Sequence, residues 1–496
     1  MSGPAVLIIG AGVGGIATAA RLARQGCRVT VVEKHNYAGG RCGHLVRDGH
    51  RFDTGPTLFV LPSIFGQTFA DLGEEMRDHL DLHRVDPTYR VHMDDGTTLA
   101  LTGDLVEMKR QLEAIEPGSF AGFLRYLDEA RDHKRMALPN LVDRSFDHWY
   151  QFYNPRNLWL LFRLRLLVPH YRHMLRFFCD RRLKAAFTFQ DLYLSLSPFH
   201  APATYSMLPY AELAEGVWFP MGGIQSLVRA LTEIGEKHGV RFVYDAPVER
   251  IDVETRRAAG VTLADGSQLQ ADVIVANADL PYVYRSLLPE DGIARRLERK
   301  RYACSAFTFY WGVDRIYSQF GSHSIFLAGD YRSSFDQILN DLTLPDEPSF
   351  YLHAPARSDP SRAPHGQDTL MAVVPVGHID ARSPQDWPAL QARARRFVLD
   401  RLARAGADDL ERHIKFEVGY TPPDWQDRYN LTHGSTLGLA HDLLQMGYLR
   451  PHNRHRRYRN LYFVGASTQP GSGLPVVLIS ARLAAQRIMK EVCAFT

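Results

Sequence analysis

The apolar positions near the start of the chain form short uninterrupted runs. Ala5–Ile9 is wholly apolar, which predicts a parallel strand buried on both faces. Arg28–Val32 predicts a second strand of the same kind. Between them, Ile16–Leu22 combines apolar with small residues and predicts a helix that packs closely on its neighbours. The chain therefore begins with a predicted β-α-β unit.

Glycines and an acidic residue occupy fixed positions in this unit. Gly10, Gly12 and Gly15 form a GxGxxG turn directly after the first strand, and Glu33 ends the second strand. This order is the fingerprint of dinucleotide binding, in which a pyrophosphate lies at the helix N-terminus. Glu33 is expected to accept a hydrogen bond from a ribose hydroxyl, and its charge argues against NADP. The fingerprint alone leaves NAD and FAD open.

Elements of the same type recur far downstream. Ile224–Gly235 predicts a helix, Val240–Tyr244 a strand, and Ala271–Ala278 another buried strand. An Asp265-Gly266 pair predicts a hairpin turn. At the end of the chain, a strand at Asn460–Val464 and a Gly/Pro loop precede a helix from about residue 477 to 492. One nucleotide domain built from both ends and a middle segment implies other domains inserted between the pieces.

Composition limits the remaining classes. The 496 residues predict about two to four domains, and a net charge of +3 argues against a nucleic-acid binder. Five scattered cysteines predict no disulfide framework or zinc site and favour a reducing compartment. The N-terminus shows no signal peptide and no run reaches about 18 apolar residues, so we expect a cytoplasmic protein without a membrane span or a metal.

The segment from His148 to Cys179 lacks Asp and Glu and alternates aromatic residues and leucine with arginine. This pattern predicts an interfacial helix pair, with rings at the apolar boundary and arginines on lipid phosphates. A buried helical hairpin with solvated arginines is the alternative, and single-stranded nucleic-acid binding is a more remote one. A second basic run, residues 450–459, predicts a solvated face, with an anionic-lipid contact as second choice.

Several motifs then resemble one family. Gly39-Gly40-Arg41 after Glu33, and Phe52–Thr57, resemble segments of the flavin-containing amine oxidase and carotenoid desaturase superfamily. Residues 205–223, with segments near residues 310, 351, 450 and 465, resemble the bacterial and fungal phytoene desaturases over nearly the whole chain. Gln469, where many relatives have histidine, and Ser195–Pro198, in place of a glycine-rich turn, depart from that pattern.

The resemblance implies an α/β fold with a discontinuous Rossmann-type FAD-binding domain, a mixed α+β substrate domain and a helical membrane-facing insert. The expected FAD-binding pieces are residues 1–85, 215–290 and 456–496. The expected substrate domain is formed by 86–145 and 291–455, and the insert by 146–214. The residues expected to hold FAD are Gly10, Ala11, Gly12, Gly14, Gly15, Glu33, Lys34, Gly40, Arg41, Pro56, Thr57, Val248, Gly465, Ala466, Gly473, Pro475 and Val476.

The activity that the resemblance implies is desaturation of a long polyene such as phytoene or diapophytoene. Flavin N5 would accept a hydride, a nearby group would take the proton, and a quinone or oxygen would reoxidise the flavin. Asp147, with His148 as neighbour, is the expected acid/base residue, with its pKa raised by burial beside an apolar tunnel; the alternative is that Asp147 caps a helix near Trp149. The functional alternatives are a polyene isomerase, a saturase or a non-catalytic carotenoid-binding flavoprotein.

Overall fold

The computed structural model describes residues 3–289 and 292–492. The predicted β-α-β unit is confirmed as β1 Ala5–Ile9, α1 Val13–Arg24 and β2 Arg28–Val32. The helix begins earlier than the expected Ile16 because Gly14 and Gly15 already have helical backbone and are buried.

In the described residues the other strands are β3 His44–Arg47, β4 His50–Asp53, β5 Leu82–Val85, β6 Tyr89–His92, β7 Thr98–Leu101, β8 Val217–Pro220, β9 Arg241–Val243, β10 Val248–Glu254, β11 Arg257–Leu263, β12 Gln268–Gln270, β13 Val273–Ala276, β14 Ser305–Val313, β15 His323–Phe326, β16 Phe350–His353, β17 Asp368–Val376, β18 Ile414–Tyr420 and β19 Leu461–Phe463. The other α-helices are α2 Pro62–Asp71, α3 Met76–His79, α4 Leu105–Ile115, α5 Ser119–Ala137, α6 Trp149–Phe152, α7 Pro155–Arg163, α8 His170–His173, α9 Arg181–Ala186, α10 Met207–Tyr210, α11 Gln225–Lys237, α12 Leu280–Tyr282, α13 Gly292–Glu298, α14 Tyr331–Leu339, α15 Trp387–Arg404, α16 Leu410–His413, α17 Pro422–Tyr429 and α18 Leu474–Val492.

A five-stranded parallel sheet joins the two ends of the chain to its middle, in the order β19-β13-β1-β2-β9. β13 is fully buried and β1 nearly so, which explains why both are uninterrupted apolar runs. The strands come from three separate stretches of sequence, so the sheet is discontinuous as predicted. The domain limits drawn from the sequence stay a prediction.

Both faces of this sheet are covered. On one face, α1, α11 and α18 contribute Ile16, Leu231 and Ile488 to one hydrophobic core. On the other face, the antiparallel sheet β10-β11-β12 contributes Ile251 and Val261. The predicted turn at Asp265-Gly266 connects β11 and β12, and Gly266 has φ 83°. Each fully buried aliphatic side chain stabilises the fold by about 1.5–3 kcal/mol.

A seven-stranded mixed sheet, in the order β18-β14-β17-β16-β15-β6-β7, forms the second layer of the molecule. Side chains of β14 alternate between its faces: Phe307, Phe309 and Trp311 join a core that also contains Val398 of α15. Thr308 points to the opposite face and lines a large cavity. This period of two places one face of the sheet against the helix and the other face against the cavity.

The segment predicted as an interfacial helix pair forms the three short helices α6, α7 and α8. Asn154-Pro155 interrupts it once because proline excludes helical backbone at the preceding residue. Arg165, with φ 50°, and Pro169 interrupt it again. The expected pair of helices is therefore wrong. Among the helices of residues 3–289 and 292–492, none combines the length and the apolar character that a membrane span requires.

Candidate functional site

The glycine turn connects β1 to the N-terminus of α1. Gly10 has φ 97°, and its N–H donates to the Val32 carbonyl at 2.8 Å. Ala11 N–H donates to Oε2 of Glu33 at 2.7 Å, and His35 N–H donates to Oε1 at 3.0 Å. Glu33 is buried. These bonds fix its carboxylate at the C-terminal edge of the sheet, where nucleotides bind in this type of fold.

The second glycine pair lies against the first turn. Gly39 N–H donates to the Ala11 carbonyl at 2.8 Å. A Cβ atom on Gly40, which has φ 55°, would lie 3.3 Å from Gly12 Cα. The approach of the two turns therefore requires glycine. Arg41 follows, half-buried, and donates to the Thr436 carbonyl at 2.5 Å. The two glycine turns and Arg41 thus border the same cavity.

A C-terminal loop closes the same space, with Gly465 at φ 121° and α18 beginning at Leu474. This loop is held by Arg450, which is fully buried. Its guanidinium donates to the carbonyls of Leu439, Ala440, Gln445, Ala466 and Thr468. Burial lowers the pKa of Arg450 to about 10. The prediction of a solvated face for the whole run 450–459 is therefore wrong for this residue.

These elements surround a cavity of about 640 Å³. Most residues expected from the resemblance to hold FAD line it, namely Gly10, Gly12, Gly14, Glu33, Lys34, Gly40, Arg41, Pro56, Thr57, Val248, Gly465, Ala466, Gly473, Pro475 and Val476. Gly15 lies beneath the turn, where a Cβ atom would come within 2.2 Å of the Gly10 carbonyl oxygen. Ala11 contributes its N–H to Glu33. Asn277, Ser467 and Val477 also line the cavity and were not expected from the sequence.

Away from the glycine turns, the cavity continues between the seven-stranded sheet and the helical segments around residues 190 and 210. Its lining there is mainly apolar and includes Phe189, Leu192, Leu194, Leu208, Ile325, Leu327, Phe335, Met371 and Val373. Polar groups are few. Thr57 Oγ1 and the Tyr351 hydroxyl lie 2.7 Å apart, and His323 Nδ1 is 2.6 Å from the same hydroxyl. Burial holds the pKa of His323 well below its ordinary value, so this histidine is neutral.

A buried carboxylate also faces this apolar part of the cavity. Glu212, in the helical turn Ala211–Glu215, lines the cavity and is 4% exposed. The Tyr89 hydroxyl donates to its Oε1 at 2.9 Å, and Gln190 Nε2 donates to its Oε2 at 3.1 Å. Burial raises the pKa of Glu212 to about 7, although both hydrogen bonds act in the opposite direction. Glu212 was not expected from the sequence, where its signal is a single acid within the apolar run Met207–Ala214.

Asp147 and His148 lie outside this cavity, on the surface. The preceding Phe146 is buried, with its N–H 3.3 Å from Gln469 Oε1. Asp147 pairs with Arg487 at 2.8 Å and borders a surface depression that is otherwise lined by Tyr448, His452, Arg454, His455, Arg456, Arg459 and Arg487. The expected burial beside an apolar tunnel is wrong. The cap of α6 is His148, not Asp147, and Gln151 Oε1 accepts from both backbone N–H groups.

The segment that follows Asp147 carries several exposed aromatic residues. What we call the aromatic patch consists of five aromatic residues and one leucine: Trp149, Tyr150, Tyr153, Leu158, Trp159 and Phe162. Phe162 is 68% exposed. Two nearby arginines are engaged elsewhere, because Arg165 and Arg176 both bind Glu129 at 2.7 Å. Burial alone would raise the pKa of Glu129, but hydrogen bonds from His173 and Arg165 hold it well below its ordinary value. Arg165 and Arg176 thus stabilise the Glu129 carboxylate, and their expected contact with lipid phosphates stays a prediction.

Known proteins resemble the chain over almost its full length. A family model described as flavin containing amine oxidoreductase matches residues 13–489. A zeta-carotene-forming phytoene desaturase of Myxococcus xanthus is 44% identical over 98% of this chain and 94% of its own. A phytoene desaturase of Phycomyces blakesleeanus is 40% identical over 97% of this chain and 85% of its own. A solved putrescine oxidase variant shares the fold, with a TM-score of 0.64 and 15% identity over 99% of each chain.

Proposed function

Because the chain belongs to the family of flavin-containing amine oxidoreductases, we propose that it is an FAD-dependent desaturase of a phytoene-like polyene. One observation carries this proposal: a single cavity runs from a dinucleotide-binding turn into an apolar chamber. The identity to phytoene desaturases over nearly the full chain supports the same substrate class. FAD, when bound, supplies the two-electron oxidant that takes a hydride from the substrate.

The residues around the glycine turns fit FAD. Gly12 leaves its side of the cavity open because it has no side chain, and the N-terminus of α1 favours a diphosphate there. Glu33 would accept a ribose hydroxyl, Arg41 would face the diphosphate, and Val248 would border the adenine. The rest of the FAD molecule would be held by the C-terminal loop from Gly465 to Val476 and by the N-terminus of α18.

The apolar chamber suits a hydrocarbon chain. It is lined by leucine, isoleucine, phenylalanine and methionine. The binding free energy of the polyene would become more favourable by about 25 cal/mol for each Å² of its surface removed from water. Such an interior also excludes water from the reacting carbons. The polar groups that reach it, Thr57, Tyr193, Glu212 and Tyr351, can then act on the substrate without competition from solvent.

We also propose a peripheral position at a membrane, because a long hydrocarbon polyene partitions from water into lipid. The aromatic patch supports it, since tryptophan, tyrosine and phenylalanine favour the bilayer interface. Exposed Arg156 and Arg163 lie on the same segment and would meet lipid phosphates. A quinone or oxygen is the proposed acceptor for reoxidation. The acid/base role of Asp147 or His148 stays a prediction from the resemblance.

The test is incubation of the flavin-loaded protein with vesicles of phosphatidylcholine and phosphatidylglycerol that carry phytoene. We expect products with longer conjugation, read from absorption spectra, and loss of flavin absorbance under anaerobic conditions. A change in double-bond geometry alone would indicate an isomerase. Shortened conjugation with reduced flavin would indicate a saturase. Binding of the polyene without any product, at full flavin content, would indicate a non-catalytic carotenoid-binding flavoprotein. Parallel incubations with diapophytoene compare the two chain lengths.

A further inference from the structure

Three side chains form a continuous hydrogen-bonded path that starts at the apolar part of the cavity. Tyr193 lines the cavity, and its hydroxyl donates to the Tyr89 hydroxyl at 3.0 Å. Tyr89 is fully buried and donates in turn to Glu212 Oε1 at 2.9 Å. The Tyr193 oxygen still has acceptor capacity, because a phenol oxygen both donates and accepts. The path therefore leads from the cavity to a carboxylate.

The direction of these bonds decides what the path can do. Each hydroxyl donates towards Glu212, which accepts from Tyr89 and from Gln190. In its ionised form, Glu212 accepts both of these hydrogen bonds and can still take up a proton. A proton that reaches the Tyr193 oxygen would move the Tyr193 proton to Tyr89 and the Tyr89 proton to Glu212. The geometry is thus set to carry a proton from the Tyr193 oxygen to Glu212.

We infer that Tyr193, Tyr89 and Glu212 form a relay that accepts the proton lost from the substrate. This inference rests on the proposed function. One carbon loses its hydrogen with the electron pair to the oxidised flavin. The C–H bond of the neighbouring carbon breaks, and its electron pair becomes the second bond of the new double bond. Its proton passes to the Tyr193 oxygen, and Glu212 ends as a neutral carboxylic acid.

The surroundings of Glu212 favour this role. Its raised pKa, about 7, allows it both to hold and to release a proton near neutral pH. The titratable groups that face it are the phenols of Tyr89 on β6 and Tyr126 on α5, with Tyr193 behind Tyr89. Charged neighbours are engaged elsewhere: Arg84 donates to the Leu213 carbonyl, and Lys134 pairs with Glu215.

Tyr193 also lies close to the other polar groups of the cavity. The Tyr351 hydroxyl contributes to the raised pKa of Tyr193, after burial and the charge of Glu212. Tyr351 itself is 2.7 Å from Thr57 Oγ1, which lines the cavity beside Pro56 and Arg41. The relay therefore opens on the side of the apolar chamber that is nearest to the nucleotide-binding elements. A substrate that reaches between them would present its hydrogens to Tyr193.

The experiment compares Glu212→Gln and Tyr193→Phe with the unmodified protein. Flavin bleaching by vesicle-borne phytoene is followed anaerobically in one turnover from about pH 5 to about pH 9. We expect the rate of the unmodified protein to rise through about pH 7, as Glu212 ionises. Both variants should bleach at least about 100-fold more slowly and lose this inflection, with little change in the phytoene concentration that gives half of the maximal bleaching rate and with unchanged flavin content.

Tyr126→Phe is the matched control. It removes another buried hydroxyl from the same region, one that donates to the Phe187 carbonyl and lies outside the cavity. We expect it to keep the rate within about twofold and the pH profile unchanged. Infrared difference spectra of the flavin-free protein provide a second readout. A carboxylic acid band should titrate near pH 7, vanish in Glu212→Gln, and titrate at higher pH in Tyr89→Phe, which loses a donor to the anion.

The outcomes separate the relay from the proposed function. If the unmodified protein desaturates phytoene while Glu212→Gln and Tyr193→Phe keep its rate and pH profile, the relay is wrong and the network is structural. Absence of the titrating infrared band would also overturn it. If the unmodified protein forms no desaturated product although it holds flavin and polyene, the proposed function fails, and the substrate role of the relay fails with it.

Discussion

Asp147 and Arg487 form an ion pair, with 2.8 Å between Oδ1 and Nη1, at the rim of an arginine-rich surface depression. Arg487 also binds Glu491 on the same helix, so it holds two carboxylates at once. A half-exposed pair of this kind contributes about 0–1 kcal/mol to stability because water screens it. Its position, outside the cavity, separates Asp147 from the proposed substrate site.

We expect Asp147→Asn to keep turnover within about twofold and to leave flavin content unchanged. The amide retains the side-chain shape, and only a screened surface charge is lost. Asp143→Asn is the matched control, because Asp143 pairs with Arg482 on the same helix α18. Turnover of phytoene in vesicles measures the effect. A loss of about 100-fold in Asp147→Asn alone would restore the acid/base role that the sequence predicts.

Arg450→Met should destabilise the protein strongly. It would leave four buried carbonyl groups without a donor, those of Leu439, Gln445, Ala466 and Thr468, whereas the Ala440 carbonyl keeps the Gln445 side chain. Each unpaired buried group costs about 1–3 kcal/mol. We expect a clear decrease in the melting temperature and loss of bound flavin, because the loop containing Ala466 and Thr468 lines or adjoins the cavity. Arg459→Met, at an exposed position of the same basic run, should change the melting temperature little.

These two arginines illustrate what the sequence could predict. The β-α-β unit and its glycine turn follow from local patterns, because strand burial and tight turns depend on neighbouring residues. The discontinuous domain and most of the other cavity-lining residues were expected from the family resemblance. A run of basic residues does not show which member is buried. The position of Arg450 depends on carbonyl groups up to eighteen residues away, which are brought together only by the folded loop.

The same limit applied to Glu212 and Asp147. Both are single acids next to apolar stretches, and the sequence pattern does not distinguish them. Burial separates them: Glu212 lies beneath the seven-stranded sheet beside Tyr89, whereas the chain reaches the surface directly after Phe146. The hydrogen bonds that carry the proposed relay join residues more than a hundred positions apart. Only the three-dimensional arrangement shows them.

Gly12→Val should remove FAD without unfolding the protein. Gly12 has φ −70°, a value that any residue adopts, and an added Cβ atom would meet only the Asn277 amide, at 3.0 Å. The rest of the valine side chain would enter the cavity and block the expected diphosphate position. Extracted FAD per chain measures the effect, and circular dichroism checks the fold. Gly66→Ala, which meets no atom within 4 Å, is the control and should keep its FAD.

Removing aromatic surface should weaken vesicle binding. The double change Trp159→Ser and Phe162→Ser takes away two exposed rings, each with about 150–250 Å² of surface. Partial insertion at about 25 cal/mol per Å² predicts a loss of at least about tenfold in binding. Co-sedimentation with phosphatidylglycerol-containing vesicles measures it. The control, Val106→Ser with Leu444→Ser, removes exposed apolar residues elsewhere; an equal loss there would contradict a specific role for the aromatic patch.

The buried Glu212 carboxyl should make stability depend on pH. Its pKa is about 7 in the folded chain against an ordinary value of 4.5, so the folded state binds the proton more strongly than the unfolded state. The stability that this proton provides is complete below about pH 4.5 and is lost as the pH rises through about 7. The difference amounts to about 3 kcal/mol. Glu212→Gln cannot ionise and does not lose this stability. In the flavin-free protein, its melting temperature should therefore rise relative to that of the unmodified protein as the pH increases from about 4.5 to about 7. The control is Glu107→Gln, at the exposed start of α4, whose melting temperature should depend on pH in the same way as that of the unmodified protein. If the melting temperature of Glu212→Gln also followed that of the unmodified protein at every pH, Glu212 would have an ordinary pKa.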